Sequence, residues 1–188
     1  MENHMTEKAR DMLRSIPDVP RREMIAKSRW TCDSHWMMAM VMNAGWDVAN
    51  SMNLHVAKTV GHVEMQRLMK AANLRKPANK EDFMMMVTMA METFIMKDYF
   101  DYEFGYTDSG EGIGIIHRCY ANTKIRDVGA QDDYQCGCFG LRAGWYQAMD
   151  VEVEEKMLKC LKDGDDRCEI LIADIVFSQQ ISGKPAPS

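Results

Sequence analysis

Five cysteines in the C-terminal half are the residues whose type and spacing could do chemistry: Cys119, Cys136, Cys138, Cys160 and Cys168, with Cys32 far upstream. Cys160 and Cys168 are symmetric about Gly164. Any odd-length hairpin loop centred there sets them directly opposite, with Cβ atoms about 4.5–5.5 Å apart on one sheet face. An even-length loop turns them to opposite faces. Two thiolates so opposed can share a tetrahedral metal through bonds of about 2.3 Å. Cys136-x-Cys138, at the entry to a predicted helix, offers a third ligand and Cys119 a fourth, with His117 on the same strand face as Cys119. The competing reading is that these thiols are small buried hydrophobes. No Cys-x-x-Cys pair and no Cys-x-x-Cys-His haem signature is present.

A second group could move protons. His35 stands between Asp33 and an apolar helical run, while His55 and His62 lie seven apart, on one helix face but two turns distant. His35, Asp33 and His117 are the acid–base candidates. Methionine is abundant, 19 in all, and clusters at 37, 38, 40 and 42 and again at 84, 85, 86, 89, 91 and 96. Core filler is the ordinary role of such residues. Their density also suits a deformable wall for an apolar or sulfur-containing ligand, formed by Trp36, Met40, Met85, Met89 and Phe104, or an oligomer interface, most simply a homodimer. Gly110-x-Gly112-x-Gly114 leads into a strand and is no phosphate loop. Asp163-Gly-Asp-Asp lacks the alternating ligands of a calcium loop and reads as a hairpin turn. No Gly-x-Ser-x-Gly elbow is present.

The elements that must position these groups follow from periodicity. A charged helix is expected over 5–15, closed by Pro17 and Pro20, then helix in two or three pieces over 31–72 with a bend or packing point at Gly45. Lys76–Asn79 is a linker, and Asn79 caps a helix over 80–97 that is apolar round most of its circumference. The period then changes to two: Phe100, Tyr102, Phe104 and Tyr106 alternate with polar residues, and Ile113, Ile115, His117 and Cys119 share a face of the next strand. A polar loop through Gly129 and Asp133, a helix over 138–149 and strands over 151–160 and 167–177 complete the chain. The fold class is α+β: a helical N-terminal half packed on an antiparallel sheet, with a C-terminal helix and hairpin. The division expected is an arm over 1–30, one ligand-binding domain over 31–181 and a loose tail over 182–188.

At 188 residues, 46% hydrophobic and 27% charged, the chain can bury a real core. The net charge of −5 argues against a nucleic-acid partner. The N-terminus has no apolar leader, and the longest apolar run, Trp36 to Trp46 with Asn43 and Gly45 in it, falls short of the about 20 residues a span needs, so neither membrane nor export is expected. A cytoplasmic location makes thiols ligands, redox groups or filler rather than a disulfide framework.

The string from Cys160 to Ile172, preceded by Gly144-Trp-Tyr and Val151-Glu-Val-Glu, resembles the end of 4-vinyl-reductase-type small-molecule-binding domains. The wider segment holding Arg118-Cys119-Tyr, Tyr134-Gln-Cys136, Cys160 and Cys168 is similar to the 2-amino-thiazoline-4-carboxylate hydrolase family. The first covers the last third of the chain and the second the C-terminal half. The resemblance implies a fold like that of the vinyl-reductase and TRAPP-subunit group, with a ligand pocket between helices and sheet. It also implies a metal site, zinc or else iron, on Cys160, Cys168 and Cys136 or Cys138. The acidic ligand expected three residues before the first closing cysteine is Met157 here, which moves the fourth position to Cys119, His117 or Glu155. The leading expectation is thus a binder of a small apolar or sulfur-containing molecule beside a Cys-rich metal site. The alternatives are a hydrolase opening a small heterocycle or amidine, with a thiolate or metal-bound water attacking, and a structural metal domain of a larger assembly.

Overall fold

The computed structural model describes residues 4–95 and 99–178. Met96 and the tail from Ser182 lie outside them. Helix α1 spans His4–Arg14 and α2 spans Asp18–Ala71, broken only at Gly45, whose φ of 79° and ψ of 171° are not helical. Pro17 and Pro20 separate α1 from α2 less than expected. Pro20 sits in the first turn of α2, where the missing N–H has no helical acceptor to lose, and the Pro17 carbonyl already accepts the Arg21 N–H. The chain divides into compact units between Asn43 and Ala44. That division differs from the expected one after residue 30, because residue 30 lies mid-helix.

From Ala44 on, the core is built by the rest of α2, by α3 (Lys80–Phe94), and by a four-stranded antiparallel sheet with α5 (Cys138–Met149) beside it. Asn79 caps α3: its side chain accepts the Asp82 N–H at 2.9 Å. The strands are β1 (Phe100–Tyr106), β2 (Gly112–Cys119), β3 (Val151–Lys159) and β4 (Cys168–Phe177), in the order β1-β2-β4-β3. A helix not foreseen, α4 (Tyr120–Asp127), occupies the start of the segment expected as a loop. None of its residues is buried, so its sequence carries no apolar stripe to read. The helical half, the antiparallel sheet and the closing helix and hairpin otherwise stand as the periodicity predicts.

Phe83, Val87 and Ala90 of α3 and Trp145 of α5 are wholly buried, with Met65, Met149 and Ile172. Met84 of α3 lies over Gly112 of β2, and the Phe83 and Tyr146 rings meet at 5.3 Å. Helix α5 approaches α2 at backbone contact. A Cβ on Gly144 would stand 2.1 Å from the Lys58 carbonyl oxygen, and one on Gly61 would stand 2.1 Å from that of Leu141. Among the described residues no helix is long and apolar enough to cross a membrane.

Candidate functional site

Antiparallel pairing brings the ends of three strands to one end of the sheet. Ile116 of β2 pairs with Cys168 of β4, and Lys159 of β3 pairs with Glu169. Pairing ends there: Cys160 follows β3 in extended backbone, its N–H donating to Asp165 at 2.7 Å, and Cys168 opens β4. Cys168 Sγ accepts the Leu161 N–H at 3.3 Å. Cys119 closes β2 and caps α4, its sulfur accepting the Asn122 N–H at 3.5 Å.

The helix entry supplies the other two thiols, and Asn50 of α2 holds it. This side chain is 3% exposed; its Nδ2 donates to the Asp133 carbonyl at 2.7 Å and its Oδ1 accepts the Gln135 N–H at 2.9 Å. Gly137 follows, pressed so close to the Asn53 side chain that a Cβ would stand 2.9 Å from it. Cys136 and Cys138 are left with their Sγ atoms 2.9 Å apart.

Behind Cys138 runs a buried charge chain. Arg142, one turn along α5 and 4% exposed, donates from Nε and Nη2 to both oxygens of Glu155 at 2.7 and 2.9 Å. The Tyr146 hydroxyl donates to Glu155 at 2.5 Å. The Arg142 cation, four residues along α5 from Cys138, also favours the Cys138 thiolate.

The electrostatics divide the five thiols. The hydrogen bond from Cys136, with the Arg142 cation behind it, holds the Cys138 thiol below the ordinary thiol range against its burial. Donating that bond, and burial with it, pushes Cys136 up. Burial raises Cys119 to about 11 and Cys168 to about 12, with neighbouring thiols adding to both. The Tyr134 phenol is likewise raised, first by burial and then by Cys136.

The metal site that the resemblance implies, zinc or iron, is not assembled among the described residues. Two thiolates on a tetrahedral zinc with bonds of about 2.3 Å stand about 3.8 Å apart, and Cys136 and Cys138 are 2.9 Å apart. Among the described residues no three His, Cys, Asp or Glu side chains are placed to hold one ion. The five thiols are gathered but not convergent.

The acid–base candidates are all exposed. His35 and Asp33 are exposed on α2 before Gly45, where Asp33 faces Arg29 at 3.8 Å. His117 is exposed and meets Glu103 at 3.0 Å. The β1–β2 register skips it, Asp101 facing Arg118 and Tyr102 facing Ile116. This bulge interrupts the alternation that linked His117 with Cys119.

The expected pocket residues separate in the same way. Trp36, 62% exposed, and the half-buried Met40 belong to the unit ending at Asn43. Phe104 packs over Gly114 and against Tyr102 on the sheet. Met85 and Met89 do share a site: a groove of about 270 Å³ between the linker residues Leu74, Arg75, Lys76 and Pro77 and the α3 stripe Asp82, Met85, Met86 and Met89. Two of its charges are engaged, Lys76 with Asp150 and Asp82 with the cap of α3. Arg75 makes no ion pair among the described residues. Asn50, Arg142 and the close-packed glycines were not singled out from sequence. The Gly140-x-x-x-Gly144 spacing in α5 is the one signal that could have found them.

No family model matches the chain, and no curated protein matches it in sequence. Solved structures do. A trafficking protein particle complex subunit 3 from Naegleria fowleri, covalently bound to palmitic acid, aligns with a TM-score of 0.56 and 13% identity over 80% of this chain and 95% of its own. The phenol-responsive sensory domain of the transcription activator PoxR, solved with phenol, aligns with a TM-score of 0.53 and 13% identity over 73% of this chain and 70% of its own. The likeness is one of fold. It bears out the TRAPP-subunit-like α+β architecture, while membership of the vinyl-reductase-type or thiazoline-carboxylate families has no support from a family model.

Proposed function

We propose that this chain binds a small, mainly apolar molecule with one polar or anionic end, seated in the groove along α3. The observation that carries the reading is the groove itself, with its Met85, Met86 and Met89 floor and Arg75 at its margin. Methionine side chains are flexible and polarizable, so such a floor fits itself to rings or short alkyl chains. The volume of about 270 Å³ lies at the lower edge of the roughly 300–1,000 Å³ typical of small-molecule sites. A single ring or a medium-length chain is therefore the occupant in scale. The two structural neighbours support the chemistry, since palmitic acid and phenol each join an apolar body to one oxygen-bearing head. The hydrolase alternative draws no support from its proton-moving candidates, which stand exposed.

The test is calorimetric titration of the full chain with octanoate and with phenol. Binding by the wild type and at least a tenfold loss in Met89→Glu, which puts a carboxylate on the floor, support the reading. Equal affinities in the two proteins contradict it.

A further inference from the structure

The Cys136-Gly-Cys138 segment is more finely arranged than a packing role requires. Its sulfurs are 2.9 Å apart, and closing them to the about 2.05 Å of a disulfide needs roughly 0.85 Å of further approach. Two contacts hold them there: Asn50 fastens the preceding loop and the Asn53 side chain abuts Gly137. Arg142 is fixed by its two bonds to Glu155. Both cysteines are half-buried as residues.

We propose that Cys136 and Cys138 form a reversible dithiol–disulfide couple that exchanges with low-molecular-weight disulfides, with Cys138 the attacking sulfur and Cys136 the resolving one. Cys138 begins α5, one helical turn before the Arg142 cation that Glu155 fixes, two features that favour a thiolate there. Its thiolate attacks one sulfur of the disulfide RS–SR. That S–S bond breaks, RS⁻ leaves and takes a proton from solvent, and Cys138 carries a mixed disulfide. Cys136 then gives up its proton to solvent and attacks Cys138 Sγ. The Cys136–Cys138 bond forms as the second RS⁻ leaves and is protonated. Two protein thiols lose two electrons in all, and RS–SR gains them to become two RSH.

The experiment incubates the reduced full-length protein with excess glutathione disulfide, quenches with acid and maps every cysteine by differential alkylation and peptide mass spectrometry. In the wild type, the peptide holding Cys136 and Cys138 loses two hydrogens and carries no glutathione, and dithiothreitol reverses this. In Cys136→Ser the reaction stops at a glutathione adduct on Cys138. In Cys138→Ser, Cys136 reacts at least tenfold more slowly than Cys138 does in the wild type. A lasting glutathione adduct in the wild type overturns the proposal, as does consumption of the exposed Cys32 while the pair stays reduced. So does stoichiometric zinc that must be chelated before the pair reacts. The wild-type result decides the matter even if a variant fails to fold.

Discussion

Arg142 is the residue on which the thiol site leans. Its cation is buried, and two charge-assisted bonds to Glu155 offset its desolvation. Removing one partner of a buried pair leaves the other charge uncompensated, so Glu155→Gln should destabilise the fold by about 3–5 kcal/mol in urea unfolding. A loss below about 1 kcal/mol would show that the charge chain is not what holds α5 to β3. The raised thiols make a second prediction at this scale. Burial pushes the Cys119 thiol up from 9.0 to about 11 in the folded chain. Between these values the unfolded thiol has lost its proton while the folded one keeps it, so the unfolded state binds fewer protons and stability falls as pH rises. The contribution is full below about pH 9. Urea midpoints measured from pH 8.5 to 11 should fall with pH, and less steeply in Cys119→Ala; equal slopes would sink the assignment. The turn about Gly164 that parts Cys160 from Cys168 was legible because its glycine and acidic residues are local to the sequence. The bonding of Arg142 to Glu155 was not, since that depends on the join of α5 to β3.

At the scale of elements, α5 and α2 meet without side chains between them. A Cβ at Gly144 would stand 2.1 Å from the Lys58 carbonyl and 2.6 Å from the His62 nitrogen, both backbone atoms that cannot step aside. Gly144→Ala gains about 1 kcal/mol of intrinsic helix propensity, yet it should lower stability by about 1–3 kcal/mol through overpacking. A thermal melt at or above the wild-type temperature would refute the packing. The strands and α3 could be read from sequence because a face half in water repeats every two residues and a buried helix is apolar all round. Helix α4 could not, having no buried residue. Pro20 misled as a terminator because its effect depends on its place in the helix, and the first turn tolerates it.

For the whole molecule, the two methionine clusters have different fates. Those at 84 and 91 are core, Met85, Met89 and the buried Met86 line the groove, and Met38 and Met42 are exposed in the unit ending at Asn43. Composition showed that methionine mattered; only the fold tells floor from surface. The thiol cluster and the groove both belong to the unit that begins at Ala44. The abundance of methionine also supplies the probe. The most direct measurement is a methyl spectrum of the protein labelled at its 19 Met methyl groups, recorded during titration with octanoate. The signals of Met85, Met86 and Met89, assigned by substitution, should shift together and saturate, while Met5, Met12 and Met52 stay in place. Shifts spread evenly over all of them, or none at saturating octanoate and phenol, would contradict the groove as the binding site.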